Sequence, residues 1–350
     1  MRRQPSPRLP ASSPGCPHVA CCADRLFAGL LRRTPAGATG ALSYALRRLL
    51  GLLPTLFIIV SLAFLLVRLA PGGPFDQEQT LSPEIKANLD RAYGLDRPIA
   101  EQYLRYLGRL AHGDLGPSMR LRDFSVNDLI AIGLPVSLTI GGLALALSLL
   151  LGLPLGIAAA LTRHRGLDRL LMATTALGIA IPPYVTAPLL ALVFGIYLRW
   201  LPVAGWEGGQ LKDLVLPVVA LSAPTLAYLA RLMRASVLEV VGLPFVRAAR
   251  AKGLGETRVL LFHVLPPALG PVLAYLGPAA AGILAGSLVI ESVFGLPGMG
   301  RFLVEGALNR DYTLVLGKVI VYAALVLVLN LLADLLRGIV DPRIRARRRA

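Results

Sequence analysis

Hydrophobic and polar positions along this chain fall into blocks. Six apolar runs of about 20 residues or more, at 49–70, 136–160, 170–198, 214–232, 271–290 and 314–339, are separated by shorter polar segments. A helix rises about 1.5 Å per residue, so each run reaches across the ~30 Å of hydrocarbon in a bilayer. The pattern predicts an all-α, polytopic membrane protein with six transmembrane helices. Composition agrees: the 350 residues are 55% hydrophobic and only 16% charged, where a soluble domain carries about 25% charged residues.

The runs are not uniform. The third carries Pro182-Pro183 and Pro188, and the fourth carries Pro217 and Pro224; proline removes a backbone hydrogen bond, so both are expected to kink. The fifth has Gly277, Ala281 and Ala285 at four-residue steps, with Gly282 and Gly286 as a G-x-x-x-G. Such small residues let helices approach closely. Two compatible uses stay open for this stripe, tight packing and the lining of a narrow substrate route. Ionisable residues within the runs are few. Lys318 and Asp334 lie too far apart on the last run to pair directly, and Glu291 stands at the outer end of the fifth, where water is expected nearby. No chain of buried carboxylates emerges of the kind a proton-coupled carrier needs.

The polar segments have their own order. In 71–135, Ser82 is placed to cap a helix with Pro83 at its first position and Glu84 in its first turn. Farther on, Ile99, Tyr103, Tyr106, Leu107 and Leu110 recur at helical intervals. Two short amphipathic helices are expected at the outer face, either packed on the spans or docking an external partner. In the stretch "LPFVRAARAKGLGETRVLLFHVLPPAL", Pro244 suits a first helical position and Gly253 the residue past the end, which delimits a helix of about nine residues. Phe245, Ala248, Ala249 and Lys252 are expected on one face, with Arg247 and Arg250 on an adjacent one. A second helix over 256–265 should lead back to the bilayer and stop at Pro266. Such a thin, basic helix fits a groove on another protein, or rests among lipid headgroups.

Charge fixes the expected sidedness. The net charge is +16. With the N-terminus placed in the cytoplasm, the cytoplasmic segments (1–48, 162–170, 231–263 and 337–350) hold 23 Lys/Arg against 5 acids. The outer segments (71–135, 199–213 and 291–313) hold 11 against 14. Lys/Arg bias in short loops orients membrane proteins, so both termini are expected to be cytoplasmic. No basic patch interleaves with aromatics, and no nucleic-acid partner is expected. Four regions follow: a disordered N-terminal extension at 1–42, which a true start near Ala41 or Leu42 would remove; the first span and an outer helical segment at 43–133; the main transmembrane domain at 134–341; and a basic tail at 342–350. Residues 1–42 lack the apolar core of a signal peptide. Cys16, Cys21 and Cys22 lack C-x-x-C spacing and a histidine cluster, so neither a disulfide framework nor a metal site is expected. There is no G-x-x-x-x-G-K-[ST], H-E-x-x-H or G-x-S-x-G, so the chain is not expected to hydrolyse ATP or act as an enzyme.

The segment Ala248-Ala249, three residues, Gly253, nine residues, His263-Val264-Leu265-Pro266 resembles the signature loop of binding-protein-dependent ABC importer permeases, E-A-A-x₃-G-x₉-I-x-L-P. Arg247 stands where that pattern has Glu, and His263 where it has Ile. "RRLLGLLPTLFIIVSLAFLLVRLAPGGPF" at 47–75, "YGLDRPIAEQYLRYLGRLAHGDLGPSM" at 93–119, "LPVAGWEGG" at 201–209, "GSLVIESVFGLPGMGRFLVEGALNRDYTLVLG" at 286–317 and "DPRIR" at 341–345 extend the similarity over nearly everything from residue 43. Within that family it is to the B-type permease subunit of bacterial oligopeptide importers. The resemblance implies the type I ABC importer permease fold in a bacterial cytoplasmic (inner) membrane, and ATP-driven import of oligopeptides with this chain as half of the pathway. It implies a second homologous permease, two ATP-binding subunits that use ATP and Mg, and an external or periplasmic peptide-binding protein. Phe245, Arg247, Ala248, Ala249, Lys252, Gly253, Leu265 and Pro266 would then form the ATPase-coupling loop. Ser287 and Glu291 would belong to the pathway or its outer gate, and Asn309, Arg310 and Asp311 would brace the outer loop. No cofactor or metal is expected on the chain itself. Dipeptides, glutathione or a metal chelate remain open as cargo. A different class, an ATP-independent channel or carrier, needs intramembrane charge pairs or a constriction that the sequence does not reveal.

Overall fold

The computed structural model describes residues 39–70, 73–75, 82–121, 123–162, 165–206 and 208–340. The expectations for residues 1–38, which include the three cysteines, and for the tail from 341 lie outside them. Among the described residues the regular elements are all helices, apart from one isolated bridge between Pro117 and Ser125. Helix α1 is Thr39–Leu69, so residues 39–42 belong to the first helix and not to an irregular extension. The outer segment forms α2 (Pro83–Tyr93) and α3 (Ile99–Ala111). Then come α4 (Val126–Leu161), α5 (Arg165–Ala180), α6 (Pro183–Leu190, continued by a π-helical stretch Ala191–Tyr197) and α7 (Leu211–Val241). The short α8 (Pro244–Ala251) and α9 (Glu256–Val259) lead through a π-helical turn, Leu260–Val264, into α10 (Leu265–Val293). Helices α11 (Met299–Leu308) and α12 (Tyr312–Val340) complete the chain.

Local chemistry explains most boundaries. Ser82 accepts a hydrogen bond from Ile85 N at 3.4 Å at the start of α2, and Gly94, at φ 67°, ends it. Helix α4 begins ten residues before its apolar run because Ser125 and Asp128 form a reciprocal capping box. The third run is broken: α5 and α6 meet at 101° across Pro182-Pro183. Pro217 and Pro224, by contrast, lie within a continuous α7. The expected stop at Pro266 does not occur. Pro266 falls in the first turn of α10, where a missing N–H costs little, and helix runs without a break over Glu256–Val293. By length and composition the described residues hold five helices able to cross a membrane, or six if the bent α5–α6 pair counts as one crossing.

The spans pack around α4, α7 and α10. Val136, Ile140 and Ala144 of α4 meet Leu214, Leu221, Ile283 and Ile290 in the central core. Glycines admit close helix neighbours in the second span as well as in the fifth. A Cβ on Gly152 would stand 2.9 Å from Leu226 O, and one on Gly156 only 2.4 Å from Ala230 O. The G-x-x-x-G that lets backbones meet is therefore in the second span, against the fourth. The stripe in the fifth span meets the expectation in part: a Cβ on Gly277 would stand 3.2 Å from Asn330 Cα and one on Gly286 3.0 Å from Leu221, whereas Gly282 has nothing within 4 Å. On the other flank, Val60 and Phe64 of α1 pack with Tyr106, Leu316 and Ile320. Tyr103, Leu107 and Leu110 join this cluster, so α3 is fastened to the first and last spans, whereas Ile99 is exposed.

Gly156→Ala must part α4 from α7, and overpacking of this kind costs about 1–3 kcal/mol. Its thermal unfolding midpoint in mild detergent should fall clearly, while Gly282→Ala should leave it unchanged.

Candidate functional site

The basic face of the bundle carries a compact loop. Leu243 in extended conformation precedes Pro244 at the first turn of α8. Gly253, at φ 81°, ends the helix, with its N–H donating to Arg250 O at 2.9 Å; the left-handed backbone there suits glycine. Arg250 then forms a two-pronged bond to Glu256, Nε to Oε1 at 2.8 Å and Nη2 to Oε2 at 3.0 Å. That fork ties α8 to the start of the α9–α10 rod. Arg247 donates to Gly242 O at 2.9 Å. Nearby, Arg234 of α7 grips Asp168 of α5 with two bonds of 2.7 Å. Neither pairing was legible in the sequence, since each joins segments whose juxtaposition only the fold supplies.

The two faces of α8 differ from the sequence expectation. Val246 is fully buried and Ala249 is 5% exposed, both packed on Met233, Val237 and Val240 of α7 and on Val259 and Val264. Ala249 therefore faces inward and does not share the outer face with Phe245, Ala248 and Lys252. Those three, with Arg247, are exposed, spaced so that Phe245, Ala248 and Lys252 form one ridge. Leu265 is half-buried and Pro266 exposed. The sequence reading missed Val246 as the anchor, although Val246 and Ala249 stand at i, i+3. It also missed Phe262, which is 70% exposed beside the loop.

At the opposite end, the expected water-facing position of Glu291 is overturned. Glu291 is fully buried, as are Ser287 and Lys318. Three consecutive backbone groups at the start of α11 are each held by a side chain from a different span. Met299 N donates to Ser137 Oγ of α4 at 2.9 Å. Met299 O accepts from Lys318 Nζ of α12 at 2.9 Å. Gly300 N donates to Glu291 Oε2 of α10 at 2.6 Å. The Lys318 ammonium also lies 4.4 Å from the centroid of the Phe302 ring. Ser287 donates to Leu284 O at 2.8 Å in its own helix. There is no room for side chains around this junction: a Cβ on Gly298 would meet the Glu291 carboxylate at 2.2 Å, and one on Gly300 would meet Leu288 Cα at 2.4 Å.

Next to it, Asp311 is 1% exposed and gathers the outer segment onto α12. Its Oδ2 accepts from Ser118 Oγ, from Met119 N at 3.2 Å and from Arg120 N at 3.3 Å. Its Oδ1 accepts from Thr313 Oγ1 at 3.0 Å and from Leu314 N at 3.1 Å, which caps α12. Arg120 Nε donates to Asn309 O at 2.8 Å, and Arg310 occupies a left-handed turn at φ 56°. Out on α3, a hydrogen bond from Arg97 holds the exposed Glu101 carboxyl below the ordinary carboxylate value, with Arg105 adding to the effect. Among the described residues no group of three or more His, Cys, Asp or Glu is placed to hold a metal ion.

Comparison with known proteins adds a second line. Residues 152–346 match the family model described as "Binding-protein-dependent transport system inner membrane component", and residues 41–119 match the N-terminal model of the same system. The chain is 49% identical over 304 residues to the oligopeptide transport system permease protein OppB of Escherichia coli (strain K12), covering 87% of this chain and 99% of that one. The OppB of Haemophilus influenzae gives the same identity and coverage. The dipeptide transport system permease protein DppB of Bacillus subtilis (strain 168) is 38% identical over 302 residues, covering 86% of this chain and 97% of that one.

Asp311→Ala strips five donors of one buried acceptor, and hydrogen bonds to charged groups are worth about 1.5–3 kcal/mol each. The variant should unfold at lower temperature, with faster amide hydrogen exchange at residues 117–121.

Proposed function

The chain belongs to the binding-protein-dependent transport system inner membrane component family, and we propose that it is the membrane-spanning permease subunit of an ATP-driven importer of oligopeptides, forming half of the translocation pathway. The observation that carries the cargo class is the 49% identity to oligopeptide permeases along nearly the whole chain, against 38% to a dipeptide permease. A second, homologous permease subunit would supply the other half of the pathway. Two ATP-binding subunits would bind and hydrolyse ATP with Mg, and an external peptide-binding protein would deliver cargo. The chain itself performs no chemistry in this reading. Its distribution of basic residues supports a bacterial inner-membrane orientation with both termini and the α8 loop in the cytoplasm.

The loop is built to take a push and pass it on. The exposed ridge of Phe245, Ala248 and Lys252 offers a thin helix to a groove on an ATPase subunit. Beneath it, Val246 and Ala249 rest on α7, and the Arg250–Glu256 fork reaches the α9–α10 rod. Movement of α8 therefore reaches the fourth and fifth spans together. Closure of the ATPase subunits on ATP would tilt those spans and open the pathway outward, and hydrolysis would reset it. The proline break at 182–183 gives the third span a place to flex.

Ala248→Trp adds bulk on the outer ridge without touching the buried face. The variant should remain in the membrane with unaltered unfolding, yet lose co-purifying ATPase subunits and at least about tenfold of peptide uptake, since an interface gap worth 1.4 kcal/mol already costs tenfold. Normal uptake by Ala248→Trp would defeat the coupling role. Competition with unlabelled peptides tests the cargo: tri- to pentapeptides should outcompete dipeptides, and the reverse order would favour a dipeptide importer.

A further inference from the structure

The clamp at Met299–Gly300 does more than fill the core. We propose that Lys318 and Glu291 are positioning residues that lock the outer ends of the second, fifth and sixth spans to helix α11, so that these four elements move as one body during transport. This rests on the importer reading above and deepens it. Each of the two ionisable side chains bonds a backbone group rather than closing a simple pair. The carboxylate meets the N–H end of α11, where helix polarity favours an anion. The ammonium meets a carbonyl and an aromatic face, both of which favour a cation. The third contact, Ser137 to Met299 N, brings in the second span. Met299 itself is fully buried, and Met299 and Leu314 pack with Val126, Leu129 and Ile130 from the same elements. With glycines 298 and 300 pressed against Glu291 and Leu288, the junction has no slack in which to slide. Outward opening must therefore part other contacts than these.

The pair's chemistry makes the proposal separable from general stability. Removing both buried ionisable groups together leaves no lone charge behind, which is the change that costs most in a protein interior. Glu291→Met with Lys318→Met should accordingly fold, but the first turn of α11 loses two of its three ties. In the assembled importer, amides within 298–308 should then exchange at least about tenfold faster than in the parent, and ATP hydrolysed per peptide imported should rise several-fold. Glu291→Gln keeps an oxygen for Gly300 N and should stay near the parent in both readouts. Reversing the charges, Glu291→Lys with Lys318→Glu, should not restore either, because a cation would face an N–H and an anion a carbonyl. Ser137→Ala, a loss of one hydroxyl, should loosen Met299 by a smaller amount and gives the same reading should the double variant not fold. Unchanged exchange in 298–308 in either variant, or full rescue by charge reversal, overturns the proposal. Absence of uptake by the parent assembly would instead count against the importer reading, leaving the exchange result to decide this one.

Discussion

Three bonds to two adjacent residues, Met299 and Gly300, tie helix α11 to three different spans. Two ionisable side chains buried together are expensive, because desolvation removes several kcal/mol of hydration from each charged group. The cost is offset here by backbone dipoles of matching sign and by the Phe302 ring, so that neither Glu291 nor Lys318 depends on the other alone. The consequence is architectural. Spans far apart in sequence are tied to one short helix, and the neighbouring Asp311 hub fastens the outer segment around 118–120 to the same place.

The basic end is organised by different physics. There the fixed points are local backbone signals, Pro244 and Gly253, and apolar burial of Val246 and Ala249 on α7. Charge is used at the rim, where the Arg250–Glu256 fork remains in reach of water and contributes little to stability on its own. Its value is geometric. The helical rod Glu256–Val293 begins at that fork and ends at the Glu291 clamp, 38 residues and roughly 57 Å of helix. In the proposed importer, a displacement at the loop would reach the Glu291 end through a single element. The close Gly152 and Gly156 contacts hold the second span against the fourth, which keeps the intervening bundle stiff.

Much of this was legible because it is local. Apolar runs announce spans, and Ser82, Pro83, Pro244 and Gly253 announce helix ends through properties of single residues. What failed was tertiary. Lys318 could be seen to lack a partner on its own helix, but nothing in its neighbourhood names Met299 O, nineteen residues back, as its acceptor. Glu291 was placed near water by its position in the run, and the covering by α11 is invisible until the chain turns at Gly295 and Gly298. Glycine spacing recurs in the second and fifth spans, and only packing decides that 152 and 156 meet a backbone while 282 does not. Proline both ends and begins helices, so Pro266 alone suggests a stop, and the continuous helix before it shows otherwise. Ala249 was assigned outward with Ala248, since two adjacent alanines carry no sign of which one is buried.

In the proposed importer, the α8 ridge would be the surface through which the chain meets ATPase subunits. Cross-linking from single cysteines in the assembled importer tests it most directly, with Cys16, Cys21 and Cys22 changed to Ser and either Lys252→Cys on the ridge or Leu308→Cys, 70% exposed in the parent, at the far end of the bundle. The cysteine at 252 should cross-link to an ATPase subunit and the one at 308 should not. Cross-links from 308 with none from 252 would contradict the assignment.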